Sequence, residues 1–95
     1  MEKRASMTAL DICRSAVASF GKEAQTRKAV EELTELSLAL QHSVKAKTSH
    51  DNICEEIADV KIMLLQLEIM YDHEGCVSRW TGRKLERLEK LIPKK

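Results

Sequence analysis

Aromatic side chains are almost missing: the chain of 95 residues holds one Phe, one Tyr and one Trp. Runs of β-branched and aromatic residues are absent too, and no segment alternates as a strand would, which excludes a sheet and leaves an all-α reading. The one proline, Pro93, follows the last periodic segment, and Gly21, Gly75 and Gly82 serve as punctuation. Cys13, Cys54 and Cys76 are odd in number and form no CxxC, which argues against a disulfide framework or a zinc site and for reduced thiols in a cytoplasmic protein. Neither charge sign dominates: 16 Lys and Arg face 15 Asp and Glu, for a net +1. That balance speaks against a nucleic-acid polymer or an anionic membrane as partner, and Lys94-Lys95 is too short a tail to alter it. Long apolar runs are missing as well. The most apolar stretch, Ile57 to Tyr71, carries Asp59, Lys61 and Glu68, so it reads as a buried helix and not a membrane span. No secretory signal is visible after Met1-Glu2-Lys3-Arg4.

What is present is helical periodicity. The expectation is a single domain, 1–95, built as an antiparallel bundle of about four helices. The first helix covers Thr8 to Phe20, with Leu10, Cys13, Val17 and Phe20 at 3–4 spacing and Gly21 as its stop. The second runs from Lys22 to Val44 with a stripe of Ala29, Leu33, Leu36, Leu40 and Val44. The third follows Thr48, whose hydroxyl and Asp51 fit a capping box, and its stripe is Ile53, Ile57, Val60, Leu64, Leu67 and Tyr71. The fourth spans Thr81 to Ile92, with Leu85, Leu88 and Leu91 or Ile92 inward. The third helix has a second apolar side in Ala58, Ile62, Leu65 and Ile69. A helix apolar on two sides is sandwiched, and in so small a chain that predicts oligomers formed through helix faces; cover by the first or fourth helix is the alternative.

Two acidic clusters carry the functional signal: Glu31-Glu32-Leu33-Thr34-Glu35, then Glu55-Glu56-Ile57-Ala58-Asp59. Each contains two carboxylates one helical turn apart, Glu32 with Glu35 and Glu56 with Asp59. If the chain turns near Ala46, the two pairs lie at about the same distance from the turn, at about 1.5 Å per residue, and at the edge of the stripes. Glu31 and Glu32 have Arg27 and Lys28 one turn earlier as pairing partners. Glu35, Glu55, Glu56 and Asp59 have no Lys or Arg at helical spacing and adjoin like charges instead. Converging Glu32, Glu35, Glu56 and Asp59 would make an all-oxygen site, the donor set of Mg²⁺ or Mn²⁺. A di-iron site would need Glu-x-x-His motifs, and His42, His50 and His73 are not placed to form them.

The stretches Phe20-Gly21-Lys22-Glu23-Ala24-Gln25, Lys28-Ala29-Val30-Glu31-Glu32-Leu33-Thr34-Glu35-Leu36 and Cys54-Glu55-Glu56-Ile57-Ala58-Asp59-Val60-Lys61-Ile62-Met63-Leu64 together resemble the MazG-like all-α nucleoside triphosphate pyrophosphohydrolases. They are most similar to the small single-domain members of phages and mobile elements. The resemblance takes in about two thirds of the chain and rests on ExxE, a gap of about twenty residues, and ExxD within EEIADV. It implies a helical bundle that forms a homodimer or homotetramer, and the reaction NTP + H₂O → NMP + pyrophosphate, acting on surplus or modified nucleotides. It implies that Glu32, Glu35, Glu56 and Asp59 hold Mg²⁺. Glu35 and Glu56 are the catalytic candidates, with one carboxylate of the set orienting or deprotonating the attacking water.

Substrate contacts are expected from the remaining polar and aromatic residues. Lys84 and Arg87, one turn apart in a stretch that resembles the family's C-terminal helix, and Lys61 are candidates for the phosphates; each is equally an ordinary surface base. Trp80, placed just before the fourth helix, is free to stack on a base, and the Gln25 amide is positioned to read a base edge. Phe20 and Tyr71 lie on apolar stripes and are expected in the core. The alternative to an enzyme is a non-catalytic helical module that regulates or oligomerises.

Overall fold

The computed structural model of the chain describes residues 7–44 and 49–94, with side chains for 7–43 and 49–94. Four helices follow one another: α1 Ala9–Phe20, α2 Lys22–Val44, α3 His50–Tyr71 and α4 Cys76–Leu91. Among the described residues there is no strand, and no helix is long and apolar enough to cross a membrane.

Local chemistry explains most of the boundaries. Thr8 caps α1 reciprocally: its hydroxyl accepts from the Asp11 N–H at 3.0 Å, and the Asp11 carboxylate accepts from the Thr8 N–H at 3.2 Å. The same bonds hold Asp11 below its ordinary carboxylate pKa. Gly21, at φ +91°, breaks the path between α1 and α2 where an L side chain would be strained. The start of α3 differs from expectation. Its cap is Ser49, whose hydroxyl accepts from the Asn52 N–H at 3.1 Å; Thr48 and the turn residue Ala46 lie outside the described residues.

α4 begins well before Thr81. Glu74 and Gly75 turn the chain with φ of +49° and +74°, and Asp72 reaches forward to accept from the Val77 N–H at 2.9 Å. That carboxylate satisfies a donor that the cap, Gly75, cannot serve. Gly75 therefore opens α4. The Thr81 hydroxyl donates back to the Val77 carbonyl at 2.7 Å, an interior helical contact and not a cap.

α2 and α3 form the main packed pair, and α1 lies across both. The buried side chains are Cys13 of α1, Gln25, Ala29, Glu32 and Ala39 of α2, and Val60, Met63 and Gln66 of α3. The inward stripes are thus rotated from those read in the sequence. Leu33 and Leu40 of α2, and Ile57, Leu64 and Tyr71 of α3, are exposed, whereas Leu36, Ile53 and Leu67 are half-buried. On the second side of α3, Ala58 and Ile62 are exposed and Leu65 and Ile69 half-buried; the thiol of Cys13 in α1 donates to the Ile62 carbonyl at 3.9 Å.

α4 packs along none of the other three helices. In its first turn Val77 shares a shallow cleft with Leu64, Leu67 and Tyr71 of α3. Leu85, Leu88, Leu91 and Ile92, expected inward, are all exposed, Leu91 by 70%. The resulting shape is elongated, 57 × 37 × 31 Å, with a radius of gyration of 17.1 Å. A compact chain of this length would have one of about 12 Å. No large side chain is completely buried among the described residues.

Candidate metal centre

The site forms where the two acidic clusters face each other across the α2–α3 pair. One carboxylate oxygen from each of Glu32, Glu35 and Glu56 lies within 4.8 Å of the others. Helical spacing supplies the first two from one face of α2, and the antiparallel return of α3 supplies the third at the same height. Asp59, one turn beyond Glu56 and half-buried, is not within that group, although its charge acts on Glu56. The sequence expectation of four converging carboxylates is met by three.

Burial varies across the cluster: Glu32 is buried, Glu56 half-buried and Glu35 exposed. Glu32 is only 7% exposed. Its Oε1 accepts from Lys28 Nζ at 3.2 Å, but its Oε2 is buried with no hydrogen-bond partner among the described residues. Glu56 Oε2 is likewise buried and unpartnered. Loss of solvation lifts the Glu56 carboxyl above its ordinary pKa, and the charges of Glu35, Asp59, Glu32 and Glu55 add to the lift in that order. Lys28 is held protonated more firmly than usual, first by its bond to Glu32, then by the charges of Glu32 and Glu31. It also approaches Glu31 at 3.9 Å, so Glu31 is the salt-bridging neighbour that its spacing suggests. Arg27 turns the other way, to Glu23 at 3.7 Å. One lysine thus faces a group of three carboxylates whose buried oxygens lack donors. Hard divalent cations take this donor set: several oxygens, mostly anionic, with room for water and phosphate to complete the shell. The residues fit such an ion.

The other sequence candidates fall elsewhere. Lys61 is exposed on α3. Lys84 and Arg87 are exposed on α4, and nothing among the described residues holds that helix over the carboxylates. Trp80 lies inside α4 and not ahead of it, with the Arg83 guanidinium 5.3 Å and Lys84 Nζ 6.0 Å from its ring. Gln25 is buried, and its amide nitrogen donates to Gln66 Oε1 at 2.7 Å, so this donor is already committed inside the core.

Two aromatic residues expected in the core are outside it. Tyr71 is exposed; its hydroxyl lies 2.8 Å from that of Thr26, and Lys22 Nζ sits 4.3 Å above its ring. Phe20 is 67% exposed at the end of α1. It forms one wall of an open apolar cleft with Ala24, Gln25, Arg27, Lys28, Val30 and Glu31. Sequence reasoning missed this cleft, although Phe20 immediately before Gly21 was a visible sign: a residue at a helix end, next to a forced turn, need not follow the stripe behind it.

Compared with models of known families, with curated proteins and with solved structures, the chain matches none.

Proposed function

We propose that the protein is a Mg²⁺-dependent nucleoside triphosphate pyrophosphohydrolase of the MazG-like kind, acting on a dNTP or a modified NTP. The observation that carries this reading is the meeting of Glu32, Glu35 and Glu56 from two helices within 4.8 Å, with buried oxygens on Glu32 and Glu56 that no group among the described residues satisfies. Such atoms are costly without a partner, and a cation is the partner that suits three carboxylates. The ExxE and ExxD spacing adds the resemblance already described.

Mg²⁺ or Mn²⁺ held by Glu32, Glu35 and Glu56, with Asp59 one turn on as a further candidate, would neutralise the phosphates and lower the pKa of an attacking water. The reaction adds water across the α–β anhydride, releasing the monophosphate and pyrophosphate. One carboxylate of the set, with Glu35 and Glu56 the candidates, would orient or deprotonate the attacking water instead of binding the ion. Glu35, the more exposed ligand, faces the solvent side from which substrate arrives. Lys28 stands one turn from Glu32 and can meet a phosphate once a cation relieves it of Glu32.

Oligomerisation through helix faces belongs to the same proposal. Leu33, Leu40, Ile57 and Leu64, together with the row on α4, are apolar and exposed, and the chain is far more extended than a self-sufficient domain. A homodimer or homotetramer would cover these faces. The same exposed rows support the second reading, a non-catalytic interaction module, which needs the apolar faces but not the carboxylates. A substrate panel separates the two. Turnover of any dNTP or modified NTP to NMP and pyrophosphate, lost in Glu35→Gln and Glu56→Gln, supports the enzyme. No turnover with either Mg²⁺ or Mn²⁺ supports the module.

A further inference from the structure

We infer that the open cleft walled by Phe20 is the nucleobase site, and that Phe20 stacks on the base; this rests on the pyrophosphohydrolase reading above. The cleft adjoins the carboxylate cluster through Lys28. Lys28 and Glu31 line it, and Lys28 Nζ is also 3.2 Å from Glu32 Oε1. Along α2, Gln25 precedes Glu32 by two turns, about 10 Å. A nucleotide whose phosphates meet the carboxylates can reach back over that length through its sugar, which puts its base against Phe20 and Ala24. The lining is mostly apolar, as a base face requires, and Phe20 is the one aromatic ring in it. Its 67% exposure leaves the ring without a core partner, and Gly21 at φ +91° fixes the turn beside it.

The cleft offers stacking and no dedicated reader of a base edge. The Gln25 amide nitrogen donates to Gln66, and the charged heads of Arg27 and Lys28 are paired with Glu23 and with Glu31 and Glu32. Stacking is tolerant of base identity because every base has a π face. Phe20 therefore contributes affinity for all four bases alike.

The test is calorimetric binding of the Mg²⁺ complexes of dATP, dGTP, dCTP and dTTP, beside inorganic tripolyphosphate, which has the phosphates and no base. Wild type should bind the dNTPs about 5- to 150-fold more tightly than tripolyphosphate, the worth of one stacked base. Phe20→Ala should remove that advantage for all four dNTPs and leave tripolyphosphate binding unchanged; Phe20→Trp should restore it. An unaltered dNTP advantage in Phe20→Ala overturns the inference while the reaction stands. So does sedimentation showing that Phe20→Ala breaks an oligomer, since Phe20 is then an interface residue. If wild type binds neither dNTP nor tripolyphosphate, the pyrophosphohydrolase reading fails and the base site fails with it.

Discussion

Lys28 Nζ lies 3.2 Å from Glu32 Oε1, while the other oxygen of the same buried carboxylate has no partner. The lysine half-satisfies the most deeply buried member of a three-carboxylate cluster. The proposed cation would relieve the crowding of these carboxylates, and that has measurable consequences.

A divalent cation should stabilise the protein. Anything that binds only the folded state raises its stability by about 2.7 kcal/mol at a concentration of 100 Kd. For a chain of this size that is a rise in Tm of roughly 10 °C or more. Thermal melts with Mg²⁺ or Mn²⁺ should show it, and Glu32→Gln, Glu35→Gln and Glu56→Gln should each remove most of it.

Glu56→Gln should act in opposite directions with and without metal. Burial and four neighbouring carboxylates disfavour the Glu56 charge, so removing it should raise the Tm of the metal-free protein at pH 7.5. The same change should abolish the Mg²⁺-induced rise. A substitution that merely damaged packing would lower both.

The pH dependence follows in sign. The folded state holds the Glu56 proton more tightly than the unfolded chain, so its contribution to metal-free stability is fullest below the ordinary glutamate pKa of about 4.3 and is lost as pH rises through the raised folded value. Asp11 runs the other way: its folded pKa is lowered, so its contribution is present above the ordinary aspartate value and lost as pH falls through the folded one. Metal-free melts from pH 4 to 8 should therefore show a slope, falling with pH, that disappears in Glu56→Gln.

The buried Gln25–Gln66 pair should behave as core. Gln66→Ala leaves the Gln25 amide without its acceptor and should cost about 1–3 kcal/mol in denaturant unfolding. Replacing both by Leu should cost far less. Relative kcat/KM among the four dNTPs should not change in Gln25→Leu, whereas a residue that reads a base edge would shift it.

The sequence made some features legible and hid others for identifiable reasons. The bounds of α1 and the start of α2 were legible from the 3–4 spacing and from the stop at Gly21, whose effect is local. The start of α4 was hidden because its first-turn donor is served by Asp72, a residue beyond the reach of a standard cap. The stripes of α2 and α3 were broader than the contact they make: Leu33, Leu40, Ile57 and Leu64 continue the periodicity but face outward, because polar Gln25, Glu32 and Gln66 occupy inward positions. At the site, equal distance from the turn correctly brought Glu32, Glu35 and Glu56 together. It could not show that Asp59, one turn on, stays outside the group, since spacing does not fix where each side chain reaches. Lys84, Arg87 and Trp80 depended on where α4 packs, which local pattern does not encode.

The most direct measurement is of products. Incubated with Mg²⁺ and each dNTP in turn, the protein should release the monophosphate and pyrophosphate in equal amounts by ³¹P NMR, and Glu56→Gln should slow this by about 10²- to 10⁴-fold. Diphosphate with inorganic phosphate as products, or an equal rate in Glu56→Gln, would contradict the account.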